Sequence, residues 1–484
     1  MTNPFLTPRR RFLQQAACGF GYTALTALLQ QNARAAMSPS GTGNLLAPRG
    51  GHHPARAKRV IFLFMQGGPS HVETFDYKPK LNADHGKDSP FARDERVEQP
   101  GVGKMRLFGS GWDFAQHGES GMWISELFPH LAQRADDLCV LNGMHTDNLA
   151  HAPASLQLHT GATNLVRPSM GSWAVYGLGT ENASLPGYIT ISHPISGDGG
   201  SPQHYSSAFL PAITQGTRIE MPRDEGAAAE LRNLGDGKTP AAIQRRQLDF
   251  VQARNRAHLA SSESDTNLEG MIQSYELAFR MQTEAPEVFQ LDSESEATKQ
   301  LYGIGEKSTD WFGRQCLQAR RLAESGVRFI QLNAGGWDHH GNIRTALPKN
   351  CAEVDKPIAG LIRDLKARGL FDDTLIVWTG EFGRTPYEQD LSNGNNKMAN
   401  YGRGHNPYGF TTVLAGGGVK GGLVHGATDE YGYRAVEGKV HLHDLHATIL
   451  HLMGIDHERL TYRHGGRDFR LTDVYGHVVK DILS

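Results

Sequence analysis

The sequence has no excess of charge of either sign and, after its first forty residues, no long apolar segment. Lys and Arg number 49 and Asp and Glu number 51, which gives a formal net charge of −2. This balance argues against a nucleic-acid partner, because nucleic-acid-binding proteins usually carry a strongly basic face. Since no later run reaches the roughly 18 apolar residues that span a bilayer, we expect no transmembrane segment.

Cysteine is scarce, and the common nucleotide-binding motifs are missing. Four cysteines occur, of which Cys18 falls in the N-terminal segment described below and three lie beyond it. An odd number of remaining cysteines, Cys139, Cys316 and Cys351, does not form a disulfide framework. There is no P-loop and no G-x-G-x-x-G string after a predicted strand. Glycine and histidine are abundant instead, at 56 and 23 residues, and imidazole is a common metal ligand.

The first 35 residues have the pattern of an export signal. Residues 9–13 read R-R-R-F-L, residues 16–29 are weakly hydrophobic, and Ala33-Arg34-Ala35 provides a small-residue cleavage site. Paired arginines before such a stretch are typical of a twin-arginine signal. We therefore expect a signal peptide at 1–35, a linker at 36–57, and a periplasmic or secreted protein. A basic amphipathic helix is the alternative.

From residue 58 to 484, apolar runs alternate with stretches of helical periodicity. The predicted strands are 59–65, 138–141, 188–191, 327–332, 374–379 and 409–414, and the predicted helices are 124–134, 153–158, 241–279, 309–325, 352–367 and 444–453. This alternation predicts an α/β fold with a doubly wound, mostly parallel sheet and helices on both faces. The Gly/Pro/Ser-rich loop and charged helices at about 195–300 interrupt it and are predicted to form an inserted cap.

Polar residues cluster beside four of the predicted strands. The strings are Gln66–His71, Gly335–Asn342, Gly380–Pro386 and Gly402–Pro407. The carboxyl ends of parallel strands meet at one edge, so Asp338, His340, His405 and Glu381 can supply nitrogen and oxygen ligands to one divalent ion, Zn, Ca or Mg. In the alternative interpretation, the acidic residues cap helices and the histidines are solvated on loops.

Several strings resemble those of known hydrolases. Residues 444–455 resemble the sulfatase helix D-L-x-P-T-L-L-x-L-x-G-I, with Asp444 as its N-cap. Residues 151–161 resemble the sulfatase nucleophile segment, with His151 where the modified cysteine stands. Residues 379–383 resemble the D-H-G turn of the alkaline phosphatase superfamily, and 405–407 resemble the segment of its last metal-binding histidine.

As a whole, the chain resembles the bacterial family called domain of unknown function 1501. The strings GGPSH, WDxHGN, GEFGRTP and GATDE occur in order between Arg59 and the C-terminus. The resemblance implies an alkaline phosphatase-like or sulfatase-like fold. The chain departs from that superfamily at Gln66, which stands for a metal-binding aspartate, at Phe382, which stands for a histidine, and at His151, which replaces the nucleophile.

These observations predict an exported, metal-dependent hydrolase of sulfate or phosphate esters, with a sulfated carbohydrate as the expected substrate. His151 is the expected nucleophile or acid/base, and Arg384 the expected clamp on the anion. The helix beginning near His151 disfavours an imidazolium, which predicts a neutral ring. A packing role for His151, and a non-catalytic binding or structural protein, are the alternatives.

The string H-L-H-D-L-H at residues 441–446 resembles a zinc cluster. Leu442 alternates as in a strand, and the following residues begin an apolar helix. This pattern favours capping and packing over metal binding.

Overall fold

The computed structural model describes residues 45–91, 105–192, 201–221, 239–261, 266–284, 286–389 and 401–484. The predicted signal peptide and residues 36–44 of the predicted linker lie outside these ranges. Residues 46–484 form one compact unit. Residues 46–57 were expected to be linker, but the backbone nitrogens of Arg56 and Ala57 each donate to Leu452 O at 2.8 Å. This part of the predicted linker therefore packs on the domain.

The described residues contain seventeen strands and ten α-helices. The strands are β1 (Arg59–Met65), β2 (Phe114–His117), β3 (Met122–Ser125), β4 (Leu138–His145), β5 (Tyr188–Ser192), β6 (Thr217–Glu220), β7 (Phe329–Ala334), β8 (Thr374–Thr379), β9 (Gly383–Gln389), β10 (Gly402–Asn406), β11 (Phe410–Ala415), β12 (Leu423–His425), β13 (Ala427–Thr428), β14 (Ala435–Glu437), β15 (Val440–His441), β16 (Tyr462–His464) and β17 (Arg467–Phe469). The helices are α1 (Pro79–Ala83), α2 (Pro129–Ala132), α3 (His151–Thr160), α4 (Met170–Leu178), α5 (Ala241–Ser261), α6 (Thr266–Glu284), α7 (Glu296–Leu301), α8 (Asp310–Glu324), α9 (Ile343–Ala367) and α10 (Leu442–Leu452).

Nine strands form the central sheet, in the order β12-β4-β11-β8-β1-β7-β5-β6, with β15 also paired to β4. β1 pairs in parallel with β7 and with β8, so it lies in the middle of the sheet. All seven of its residues are buried, as expected for a strand covered on both faces. The predicted mostly parallel α/β sheet is confirmed.

One strand, β11, runs against the others, since its pairings with β4 and with β8 are both antiparallel. It therefore begins at the edge where β1, β7 and β8 end. The segment before it, β10, forms a two-stranded antiparallel ribbon with β9. Because β11 runs in the opposite direction, β10, which precedes it, lies at the same edge of the sheet as the loops that follow β1, β7 and β8.

Two local predictions are wrong. A helix was predicted at 124–134, but β3 occupies 122–125 and pairs with β2, and the helix that follows has four residues and begins at Pro129. Asp444 was predicted as an N-cap, but His441 is the N-cap of α10. Asp444 is the third residue of the helix, and its side chain accepts from the backbone nitrogen of His441 to complete a capping box. In both places, a long-range or reciprocal bond decided between two locally acceptable conformations.

The region predicted as an inserted cap contributes to the sheet as well. β6 lies within it and pairs in parallel with β5 at the sheet edge. The predicted helix at 241–279 is observed as α5 and α6, and residues 195–200, 222–238, 262–265 and 285 of the region lie outside the described ranges. Among the described helices, none is long and apolar enough to cross a membrane.

The turn after β1 depends on a glycine. Gly67 has φ +116°, and a Cβ there would overlap the backbone nitrogen of Asp338. Gly86 also has positive φ, at +81°, but a Cβ there would have nothing within 4 Å. A side chain at either position would strain the backbone, but only at Gly67 would it also overlap neighbouring atoms.

We expect Gly67→Ala to lower the free energy of unfolding by about 3 kcal/mol or more, because strain and overlap add. Gly86→Ala is the matched control and should cost roughly 1–2 kcal/mol. Urea denaturation of both variants measures the difference. Equal losses of stability in the two variants would contradict a close approach between the turn after β1 and the loop that carries Asp338.

A buried histidine anchors α3 to the sheet. His159 donates from Nδ1 to Ser155 O at 2.7 Å, and its Nε2 accepts from Gln331 Nε2 at 3.1 Å. Burial, and then the neighbouring His204, lower the pKa of His159 well below its usual value. The ring is therefore neutral in the folded protein.

Because the folded-state pKa lies below the unfolded value of about 6.5, the contribution of His159 to stability is present above that pH and lost below it. Its loss should amount to about 1.4 kcal/mol per pH unit as the pH falls. We expect His159→Gln to remove this part of the pH dependence, measured by urea unfolding between pH 7 and 5. Replacing the exposed His464 with Gln should leave it unchanged; a wild-type slope in His159→Gln would refute the assignment.

Candidate metal centre

Four side chains from three distant segments meet at the edge where β7 ends and β11 begins. They are His151, Asp338, His340 and His405, and each offers one ligand atom within 4.8 Å of the others. Three of them were predicted ligands, and His151 was predicted to line the same crevice. The structure brings all four together.

The local folds that present these residues differ. His151 is the first residue of α3. Asp338 and His340 lie in the loop between β7 and α9, and His405 lies on β10, opposite Arg384 of β9. The centre is therefore built at an edge of the sheet by segments that are adjacent only because of the strand order.

The Asp338 carboxylate lies at the middle of the group. Its Oδ1 is 2.9 Å from His340 Nε2 and 3.3 Å from His405 Nε2, and its Oδ2 is 3.2 Å from His151 Nε2. Two ligand atoms bound to one ion at about 2.1 Å are themselves separated by roughly 3 Å. The observed separations suit a shared divalent ion, and a set of imidazoles and a carboxylate suits zinc or a related transition metal.

Outer partners orient two of the imidazoles. His340 donates from Nδ1 to Gln389 Oε1, which leaves Nε2 to face Asp338. His151 donates from Nδ1 to Glu381 Oε1 at 2.7 Å, which directs Nε2 toward the same carboxylate. Metal-binding histidines commonly have such a partner on the second ring nitrogen.

Glu381 was predicted as a further ligand, and its contacts are now defined. It is fully buried, and its two oxygens accept from the backbone nitrogen of Gly67 at 2.9 and 3.1 Å as well as from His151. It is not a member of the group of four. Its metal-ligand role stays a prediction, while its contact with His151 is observed.

Arg384 was predicted to clamp a bound anion, but its contacts point inward. The guanidinium is fully buried, and all three nitrogens donate to protein oxygens. Nη2 lies 2.6 Å from Asp338 Oδ1, and Nε and Nη1 donate to the carbonyls of Gly68 and Arg403 at 2.9 and 3.1 Å. The contact of Arg384 with Asp338 is observed, while its role as an anion clamp stays a prediction.

The ring of His151 is charged, contrary to the expected neutral imidazole. Burial lowers its pKa, but hydrogen bonds with Asp338 and Glu381 outweigh burial and raise the pKa to about 9. The dipole of a helix N-terminus is worth a fraction of an elementary charge. The two carboxylates in direct contact with His151 have a larger effect on its pKa than the helix dipole has.

Asp338 and His405 have shifted pKa values as well. Burial raises the pKa of Asp338, but hydrogen bonds from His151, His340 and His405 and the charge of Arg384 hold it well below its usual range. Burial lowers the pKa of His405 to about 4, against the opposing effect of Asp338. Asp338 is therefore an anion and His405 a neutral ring at pH 7, which are the forms that bind a metal.

One of the departures from the hydrolase pattern, Phe382, lines the crevice. The Phe382 ring packs on His151 and on His405, with ring centroids 5.0 and 4.5 Å apart. Gln66, at the end of β1, is not a member of the group of four.

Gln389 is the functional residue that sequence reasoning missed. It lies at the last position of β9, and no local pattern marks it. Its register opposite Gly402 on β10 brings it to His340.

Comparison with solved structures shows similarity to several hydrolases and a synthase. The chain is similar to a sulfatase from Pseudoalteromonas sp. (13% identity, TM-score 0.36, covering 90% of this chain and 72% of that chain). It is also similar to a lipoteichoic acid synthase from Listeria monocytogenes (10%, 0.39, 91% and 81%) and to a phosphonate monoester hydrolase from Silicibacter pomeroyi (13%, 0.31, 82% and 73%). No curated protein matches the sequence.

Comparison with protein families gives one match, which covers most of the chain. The family described as protein of unknown function (DUF1501) matches residues 57–483. This range contains the central sheet and every member of the group of four. The chain therefore belongs to the DUF1501 family.

Proposed function

We propose that this protein is an exported, metal-dependent hydrolase of anionic esters, with a sulfate or phosphate ester, as on a sulfated carbohydrate, as its substrate. The observation that carries the proposal is the convergence of His151, Asp338, His340 and His405, with ligand atoms within 4.8 Å of one another. Solvent reaches this group, since the side chain of Asp338 is 43% exposed. A substrate can therefore approach it.

Asp338, His340 and His405 are the residues that would hold the ion. A divalent ion bound there would polarise the ester oxygen and lower the pKa of a bound water. The chemistry of this donor set fits such an ion, because one carboxylate oxygen and two imidazole nitrogens match the ligand preference of zinc and related metals.

His151 is the acid/base in this proposal. Glu381 holds its Nδ1, so Nε2 is the atom that faces the centre and exchanges a proton. With a pKa of about 9 the ring carries that proton at neutral pH, which suits donation to a departing alkoxide oxygen. The resemblance of residues 151–161 to a nucleophile segment also supports a role at the reacting atoms.

The first test removes the proposed ligands. We expect the purified full chain to retain a divalent ion and to hydrolyse an aryl sulfate or an aryl phosphate. Asp338→Asn and His340→Ala should each weaken metal binding by about 100-fold or more, beyond the 10–100-fold effect of outer partners, and should abolish hydrolysis. Metal analysis and a chromogenic assay provide the measurements.

His464→Ala serves as the control, because this histidine is exposed and does not belong to the group of four. It should retain both metal and activity. Metal binding without hydrolysis of any ester would favour the non-catalytic alternative. A wild-type protein that neither binds metal nor cleaves an ester would overturn the proposal.

A second test separates the two roles open to Glu381. If it positions His151, Glu381→Gln should lower the pKa of His151, because one of its two carboxylate partners loses its charge. The kcat should fall about 10–100-fold with metal affinity unchanged. Histidine NMR titration, calorimetric metal binding and the hydrolysis assay report these quantities.

The matched control is Glu430→Gln, an exposed glutamate paired with Lys80. It should change neither the His151 titration nor the kcat. A loss of metal affinity in Glu381→Gln without a change in the His151 pKa would instead identify Glu381 as a ligand.

A further inference from the structure

A second group of potential ligands lies at the carboxyl end of β4 and the start of α10. It consists of Asp147, His441 and His443, each of which offers a ligand atom within 4.8 Å of the others. Asp147 follows β4, and His441 and His443 flank the first residue of α10. The string that contains both histidines was expected to serve capping and packing alone.

Capping by His441 is real but uses only one of its ring nitrogens. Its Nδ1 accepts from the backbone nitrogen of His443 at 3.2 Å. Its Nε2 lies 3.2 Å from Asp147 Oδ2. This Nε2 is buried and makes no hydrogen bond of acceptable geometry within the described part of the chain.

His443 provides an independent indication of a missing ligand. The residue is 4% exposed, and its buried Nδ1 has no hydrogen-bond partner among the described residues. An unpartnered buried polar atom is costly, and in native structures it commonly marks an ion or a water.

The carboxylate of the group is oriented by neighbours, as in metal sites with outer partners. Gln157 donates from Nε2 to Asp147 Oδ2, and Thr146 fixes Gln157 through a 2.9 Å bond to its Oε1. Asp147 also remains 61% exposed at its side chain. An ion can therefore reach the group from solvent and keep a water as its fourth ligand.

We propose that Asp147, His441 and His443 form a second divalent metal site, of the zinc class, that ties the 146–150 loop to the start of α10. Two imidazoles and one carboxylate favour zinc over calcium or magnesium. When the ion binds His441 at Nε2, the ring proton lies on Nδ1, so the cap bond from His443 is lost. One cap bond is small beside coordination by three ligands.

The position of this site connects it to the first centre. The loop it would hold leads directly into His151, which begins α3 four residues after Asp147. Gln157 is six residues farther along α3, about 9 Å at the helical rise. A bound ion would thus restrain both the loop before His151 and the second turn of its helix.

The experiment counts metal ions per chain and does not depend on hydrolysis. The full chain is stripped with a chelator, titrated with Zn²⁺ in a calorimeter, and analysed for zinc after gel filtration. We expect two ions per wild-type chain, one in Asp147→Asn, one in His443→Gln and one in Asp338→Asn. The double variant Asp147→Asn/Asp338→Asn should bind none.

Asp292→Asn is the matched control, because Asp292 is an exposed aspartate outside both groups, and it should bind two ions. If His443→Gln fails to fold, the zinc stoichiometry of Asp147→Asn tests the site, because Asp147 is exposed. A wild-type stoichiometry in Asp147→Asn, or weak binding that is equal in every variant, would overturn the second site. Failure of the first centre would appear separately, as no change in Asp338→Asn.

Discussion

The carboxylate of Asp338 is the group on which the candidate centre depends. Three imidazoles and the buried guanidinium of Arg384 converge on its two oxygens. Arg384 is itself held by backbone carbonyls from the β1 turn and from β10. One buried cation therefore links the turn after β1 and strand β10 to the Asp338 carboxylate, and these segments must keep their positions for that cation to remain paired.

α3 connects the central sheet to this centre. Its first residue, His151, contacts Asp338 and the buried Glu381, and its ninth, His159, bonds to Gln331 of β7. Between them, Gln157 contacts the loop that carries Asp147. A single ten-residue helix thus touches the centre, the sheet and the proposed second site, which gives a physical route by which the second site supports the first.

Local pattern was sufficient for the buried strands of the central sheet and insufficient for the separate β2–β3 hairpin. The strands 59–65 and 374–379 were predicted with their observed bounds, because continuous apolar runs between turn residues have few alternatives. The helix predicted at 124–134 was wrong, because Ile124 is equally suited to a hairpin, and its pairing partner at Ala115 decided the outcome. Hydrophobic periodicity contains no information about which segments pair as strands.

The sequence by itself determined the fold class, and it predicted Asp338, His340 and His405 as metal ligands because they stand in short glycine-rich strings beside apolar runs. Only the tertiary structure decided their partners. The charge on His151, the inward contacts of Arg384 and the bond from His340 to Gln389 all depend on groups far away in the chain. Hydrogen bonding and burial act over a few ångströms of space, and strand order, which no local pattern encodes, sets which residues lie that close.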